Sequence, residues 1–265
     1  MTTLQVIILA IVQGLTEFLP ISSSGHLVLV PHFFDWADQG LAFDVAVHFG
    51  SLIAVLLFFR QDIFGLLRGS VQVLGGNIEG VESRLALGIA LGTIPAALVG
   101  LFLVDWIEAN LRSPYVIVFT LSGYGVLMMA ADRFGRRERN ISGMTIGNAI
   151  LIGVAQALAL VPGTSRSGVT ITAARFMGFE RQDAARFSFL LAVPVILLAT
   201  GYSLINLLRD DAIVAWGQLA TGVVISAIVA YLSIEFFMRF VSRIGLMPFA
   251  IYRLALAAVI VYVLV

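Results

Sequence analysis

Apolar residues run along this chain in long blocks, with neither the alternating pattern nor the 3.6-residue stripe that half-buried strands and water-facing helices show. Six blocks, near 43–60, 85–104, 114–131, 185–205, 215–236 and 246–265, match the ~20 helical residues a bilayer crossing takes. Two further apolar regions break off early. In 4–34 the run 4–19 meets Pro20 and then the polar cluster Ser22, Ser23, Ser24, Gly25 and His26, and only 27–34 follows, with Pro31 inside it. Such a remnant reaches roughly 12 Å as a helix, against a hydrocarbon core of about 30 Å. In 144–180 an apolar run to Val161 meets Pro162, Gly163, Thr164, Ser165, Arg166, Ser167 and Gly168, and 169–179 is again too short to cross. Both regions read as re-entrant hairpins, because irregular backbone at membrane depth is tolerated only where it is buried in protein or lines a cavity.

The two tips are related. A shift of 143 residues lays Gln13 on Gln156, Leu15 on Leu158, Ser22 on Ser165, Ser24 on Ser167 and Gly25 on Gly168, five identities in thirteen positions. Each half then holds one hairpin and three spans, and an odd number of spans inserts the second half upside down. The expected fold class is all-α integral membrane: a single polytopic helical bundle over 1–265, made of two inverted repeats, about 1–131 and about 144–265.

Arginine placement orients it. Placing the loop 132–143 inside puts Arg133, Arg136, Arg137 and Arg139 there, and alternation adds Arg60, Arg68, Arg84, Arg175, Arg181, Arg186, Arg239 and Arg243. Only Arg112 and Arg209 fall outside, a bias that satisfies the positive-inside rule, with both termini facing out. Trp36, Trp106 and Trp216 lie near the outer loops, as an aromatic belt would.

Composition agrees. The chain is 60% hydrophobic and 12% charged, with a mean hydropathy of +1.00, and too few ionic groups to cover a water-exposed surface. A formal net charge of zero without basic runs argues against nucleic acid, and the absence of Cys removes disulfides, thiol catalysis and thiolate metal sites. The first basic residue is Arg60, so the apolar start is read as part of the mature fold and not as a signal peptide.

Ionisable groups at depth cost about 3 kcal/mol each on insertion scales, which makes them functional candidates. The hairpins hold Glu17, His26 and Arg166, and Arg166 takes the place of Ser23 in the second tip. Glu17 lies one turn after Gln13, so the two share a helix face. Outgoing half-helices that begin near Ser24 and Ser167 aim their first N–H groups and positive dipole ends at the midplane. If the tips meet, these N-termini, Arg166 and the hydroxyls, with Ser22, Gly25, Thr164, Ser165 and Gly168 among the tip residues, surround one cavity, an anion site that suits phosphate. Glu17 beside such a site calls for a bridging cation, Mg²⁺ or Ca²⁺. Plainer readings stand beside these: Ser22 and Ser24 as helix caps, Glu17–Arg166 as a structural ion pair, and His26 as an ordinary buried histidine. His48, inside an apolar span, reads as a satisfied core residue, and His32 as interfacial. Arg253 reads either as an interfacial or structural pairing residue or as a phosphate contact. Gly88, Gly92 and Gly100 read as helix-packing positions.

The runs Gln13-Gly-Leu-Thr-Glu-Phe-Leu-Pro-Ile-Ser-Ser-Ser-Gly-His26 and Pro162-Gly-Thr-Ser-Arg-Ser-Gly168 closely resemble the undecaprenyl-diphosphate phosphatases of the bacitracin-resistance family. Phe187-Ser-Phe-Leu-Leu-Ala-Val-Pro194 and Pro248-Phe-Ala-Ile-Tyr-Arg253 resemble it too. The resemblance implies a bacterial inner-membrane enzyme that takes a lipid diphosphate at the outer side, uses a divalent cation, and recycles the cell-wall carrier lipid. By motif, Glu17 would be the metal-linked acid, His26 the catalytic imidazole, Ser23 a hydroxyl at the phosphate, and Ser165 and Arg166 the grip on the diphosphate. The family pattern has Glu or Gln at position 13, and Gln13 here leaves one carboxylate. His26 would attack phosphorus or act as acid and base toward water or Ser23. Small-residue span faces permit a homodimer. The rival reading is a transporter or flippase for an anionic lipid phosphate, since half-spanning repeats are that class's plan as well.

Overall fold

Short apolar segments become separate helices in the computed structural model, which describes residues 1–37, 39–111, 113–209 and 215–264. Arg112, expected outside, and the side chains of His32 and Arg209 lie outside the described residues. The elements are α1 (Thr3–Thr16), α2 (Ser23–Phe33), α3 (Leu41–Phe58), α4 (Arg60–Leu74), α5 (Val81–Asn110), α6 (Pro114–Phe134), α7 (Ile146–Ala157), α8 (Arg166–Phe176), α9 (Arg181–Arg209), α10 (Trp216–Ile244) and α11 (Met247–Leu264), with short 3-10 turns at Ile141–Gly143 and Leu158–Leu160. Among the described residues there is no sheet, only an isolated bridge between Arg139 and Phe179.

Among the described residues five helices, α3, α5, α6, α9 and α10, are long and apolar enough to cross a membrane. The sixth expected span is α11, at the lower limit of the ~17–25 residues a crossing needs. α4 is a helix that the block pattern did not announce. It is too polar to span, yet it exposes Phe64, Leu67, Val71 and Leu74, the amphipathic distribution of a helix lying at a membrane surface.

The two interrupted regions fold alike. α1 opens with a capping box between Thr2 and Gln5, and α7 opens with one between Thr145 and Asn148, each member 143 positions from its counterpart. α2 and α8 each have 11 residues, with bounds 143 apart. α1 packs on α10 and α7 packs on α5. These contacts need small residues. A Cβ on Gly14 would sit 2.9 Å from the Ser226 carbonyl oxygen, and one on Gly153 would sit 2.1 Å from that of Gly92. Gly88 and Gly92 approach Ala149, as expected, whereas Gly100 meets nothing within 4 Å.

Two arginines brace the bundle around 132–136, where α6 ends and α9 begins. Arg175 is fully buried and donates to the carbonyls of Gly135 at 3.0 Å, Arg136 at 2.8 Å and Phe179. Arg181 grips Asp132 through two hydrogen bonds of 2.6 and 2.8 Å, and the same carboxylate accepts from the Leu246 amide at 3.0 Å. Asp132 therefore ties α6, α9 and the α10–α11 turn together. Asp132→Ala strands a nearly buried Arg181 and is expected to lower stability in detergent by about 3–5 kcal/mol. Glu235→Ala, which breaks an exposed i,i+4 pair with Arg239, is expected to stay within about 1 kcal/mol. Thermal unfolding of both variants checks the contrast.

Candidate active site at the joined hairpin tips

The chain leaves each first half-helix and enters the second through a serine with positive φ: Ser22 at 75° and Ser165 at 70°, positions 143 apart. A positive φ is uncommon for a residue with a Cβ and persists only where the surroundings enforce it. In the second tip the side chain caps the turn. Ser165 Oγ accepts from the Gly168 amide at 3.2 Å. The hydroxyl pairs Ser22/Ser24 and Ser165/Ser167 are both 3.4 Å apart.

The tips meet through backbone carbonyls. Ser167 Oγ donates to Leu19 O at 3.0 Å. Arg253, fully buried, donates to Pro20 O in the first tip at 3.5 Å and to Gly163 O in the second at 3.0 Å, and also to Thr120 O and Leu121 O at 3.3 Å. Sequence left Arg253 between pairing and phosphate contact; the structure gives it the structural role. Gly163, at φ 84°, is where the second tip passes α6, and a Cβ there would lie 2.3 Å from Thr120 Oγ1.

Around this joint four expected residues form one network. Arg166 Nη2 donates to Glu17 Oε1 at 2.7 Å, while Glu17 Oε2 accepts from Ser23 Oγ at 2.7 Å and from Gln13 Nε2 at 2.9 Å. Glu17 is buried, and the Arg166 guanidinium lies over the Phe18 ring. A cavity of about 310 Å³ opens beside the pair, with Ser22, Ser23, Ser24, Ser165 and Arg166 on its wall. Gly25 is buried in the first turn of α2 and Gly168 in that of α8, beside Arg253. Thr164 is buried behind the tip, and Ser167 faces Leu19. Leu41, Val45, Ala96, Val195, Ile196 and Ala199 line the apolar part of the cavity.

His26 is placed differently. Its Nδ1 lies 2.7 Å from Ser22 O, so Nδ1 carries a proton, and its Nε2 is 2.6 Å from the Tyr252 hydroxyl. It does not line the cavity. His48 does, with Nε2 3.7 Å from Glu17 Oε2. Gln156 also reaches the cavity. The repeat had flagged Gln156 as the counterpart of Gln13, whereas nothing in the spacing of an apolar span singled out His48.

Several buried polar atoms here lack a hydrogen-bond partner: Gln13 Oε1, Gln156 Nε2 and Oε1, Thr164 Oγ1 and Arg166 Nη1. Each such atom costs about 1–3 kcal/mol, and folded proteins leave few of them. Donors from Arg166, Thr164 and Gln156, together with the N-termini of α2 and α8, suit a multiply charged oxyanion. Among the described residues no three His, Cys, Asp or Glu side chains cluster for a metal. Glu17 and the free Gln13 Oε1 nevertheless fit a divalent cation that takes its other oxygens from phosphate and water.

Several apolar helices long enough to span define a polytopic membrane protein, and the buried carboxylate–guanidinium pair with unpartnered donors at the joint of its two half-length hairpins suits an oxyanion. Sequence comparison gives the family: the profile described as "Bacitracin resistance protein BacA" matches residues 6–259, and the chain belongs to that family. It is 51% identical to "Undecaprenyl-diphosphatase 2" of Stutzerimonas stutzeri, over 98% of this chain and 97% of that protein. It is 52% identical to "Undecaprenyl-diphosphatase" of Hahella chejuensis, over 97% of both chains, and 50% identical to that of Nitrosococcus oceani, over 99% of both.

Arg253→Lys keeps a charge but cannot span the same carbonyls. It is expected to lower the melting temperature, with about 1–3 kcal/mol lost for each buried carbonyl left unpaired; an unchanged melting temperature would remove Arg253 as the tie between the tips.

Proposed function

We propose that this protein is a membrane phosphatase that hydrolyses undecaprenyl diphosphate to undecaprenyl phosphate and inorganic phosphate, recycling the carrier lipid of cell-wall synthesis. The observation that carries the reading is the Glu17–Arg166–Ser23 network, set among buried polar atoms without partners and continued by an apolar wall. The diphosphate occupies the tips, and the prenyl chain leaves along Val45, Ala96 and Val195. Relatives at about half identity over nearly the full length carry the name undecaprenyl-diphosphatase.

Charge accounts for the catalysis. Negative charge on the terminal phosphoryl oxygens is stabilised by Arg166 and by the N-termini of α2 and α8, the main term in phosphoryl transfer. Ser23 already gives its hydroxyl hydrogen to Glu17, so Glu17 is placed to take the proton of an attacker, either that hydroxyl or a water. Ser165 and Gln156, on the cavity wall, grip the phosphates, with Thr164 in support behind the tip. His26 keeps the place that the resemblance gives it, as nucleophile or as acid and base, and to act it exchanges Tyr252 for substrate. A divalent cation held by Glu17 and Gln13, Mg²⁺ or Ca²⁺, supplies neutralisation of phosphate charge when bound.

The same reading makes the two hairpins re-entrant and the halves, about 1–131 and about 144–265, inverted repeats, which the capping boxes, tip serines and half-helix bounds 143 positions apart support. It puts both termini outside the plasma membrane. The cavity reaches Leu41 and Asp44 at the start of α3 and Thr200 and Ser203 late in α9, the ends that this orientation turns outward, so substrate enters from the outer side.

Phosphate release from a polyprenyl diphosphate by purified protein in detergent tests the proposal. Release should stop with excess chelator, and Glu17→Ala and Arg166→Ala should each lower turnover by about 10²–10³-fold or more. No release from folded wild type with metal and lipid present would overturn it and leave a carrier of the same anion.

A further inference from the structure

We propose that His48 is a ligand of the divalent cation at the tips, so that this chain builds its cation site from one carboxylate, one imidazole and one amide: Glu17, His48 and Gln13. The inference deepens the phosphatase reading and takes from it only the presence of a cation beside Glu17.

The ring of His48 is fixed from behind. Its Nδ1 lies 2.7 Å from the Asp44 carbonyl oxygen, an acceptor only, so Nδ1 carries the proton and the neutral ring keeps its lone pair on Nε2. Metal-binding histidines are oriented in this way, one nitrogen donating to a carbonyl or carboxylate and the other free for the metal. Here Nε2 faces Glu17 Oε2 at 3.7 Å. That separation is beyond hydrogen-bond reach, but one small cation about 2.1 Å from each atom can touch both. The side chain is 34% exposed and lines the cavity, so an ion can reach it.

Gln13 supplies an independent sign. Its Nε2 donates to the same Glu17 oxygen, while its Oε1 is buried without a partner. Rotation of that amide turns a neutral oxygen ligand toward the carboxylate. His26 offers no such nitrogen, since both of its ring nitrogens are already engaged. With Glu17 shared by Arg166 and no second carboxylate at position 13, the imidazole provides the additional strong ligand. A nitrogen ligand moves preference from the hard ions Mg²⁺ and Ca²⁺ toward transition metals such as Co²⁺ and Zn²⁺, and Mn²⁺ serves as the paramagnetic probe.

The test uses full-length protein in detergent, titrated with Mn²⁺ alone and followed by electron paramagnetic resonance. Wild type should bind Mn²⁺ with pulsed-resonance modulation from an imidazole ¹⁴N, which ¹⁵N-histidine labelling shifts without any substitution. His48→Gln should abolish the modulation and weaken binding at least about 10–100-fold, the loss that even an outer-shell partner causes; His26→Ala should keep the modulation. Bound Mn²⁺ without nitrogen modulation in wild type, or modulation that survives His48→Gln, would overturn the assignment. Phosphate release measured on the same samples separates the two readings. Release with nitrogen-free Mn²⁺ removes only the role of His48, and nitrogen-bound Mn²⁺ without release removes only the phosphatase.

Discussion

Backbone that leaves the helix inside an apolar bundle needs partners from protein for its carbonyls and amides, and in this chain one guanidinium serves both breaks at once. Arg253 holds carbonyls of the first tip, the second tip and α6. Ser22 and Ser165, held at positive φ, turn the chain into the outgoing half-helices. With the two tips locked together, Glu17 from one and Arg166 from the other come within 2.7 Å. A carboxylate and a guanidinium that are each costly alone in an apolar bundle become tolerable as a pair.

The pair explains why the site is unfinished. Arg166 uses one terminal nitrogen on Glu17 and leaves the other buried without a partner; Gln13 Oε1, Thr164 Oγ1 and both amide atoms of Gln156 are left open as well. Buried polar atoms left open in this way weaken the fold until something fills them, and here four residues around the joined tips carry them. Phosphate oxygens match the donors, a cation matches the acceptors, and the apolar wall matches a hydrocarbon tail. Membership of the BacA family and the names of the relatives agree with that chemistry.

Much of this was legible in the sequence because membrane helices announce themselves by length and apolar content. The spans, the two interrupted regions and the 143-residue offset all follow from local pattern, and the network of Gln13, Glu17, Ser23 and Arg166 sits where the repeat placed it. What escaped was decided by side-chain direction between distant segments. The surroundings of His26 depend on Tyr252, 226 positions away, and no motif fixes that approach. His48 looked like a core residue because its neighbours in sequence are apolar, although its Nε2 faces Glu17 from another helix. α4 went unseen because its apolar residues are interleaved with Arg60, Asp62 and Arg68, which hides it from any search for spans.

The joined tips are tested most directly by a double-mutant cycle on unfolding stability with Glu17→Gln, Arg166→Gln and the two combined. A single buried pair predicts that each single variant strands a charge and that the double variant loses less than their sum, with coupling toward the upper end of the ~0.5–3 kcal/mol seen for residues in contact. Additivity within about 0.5 kcal/mol, as for independent sites, would mean that the two tips do not form one site.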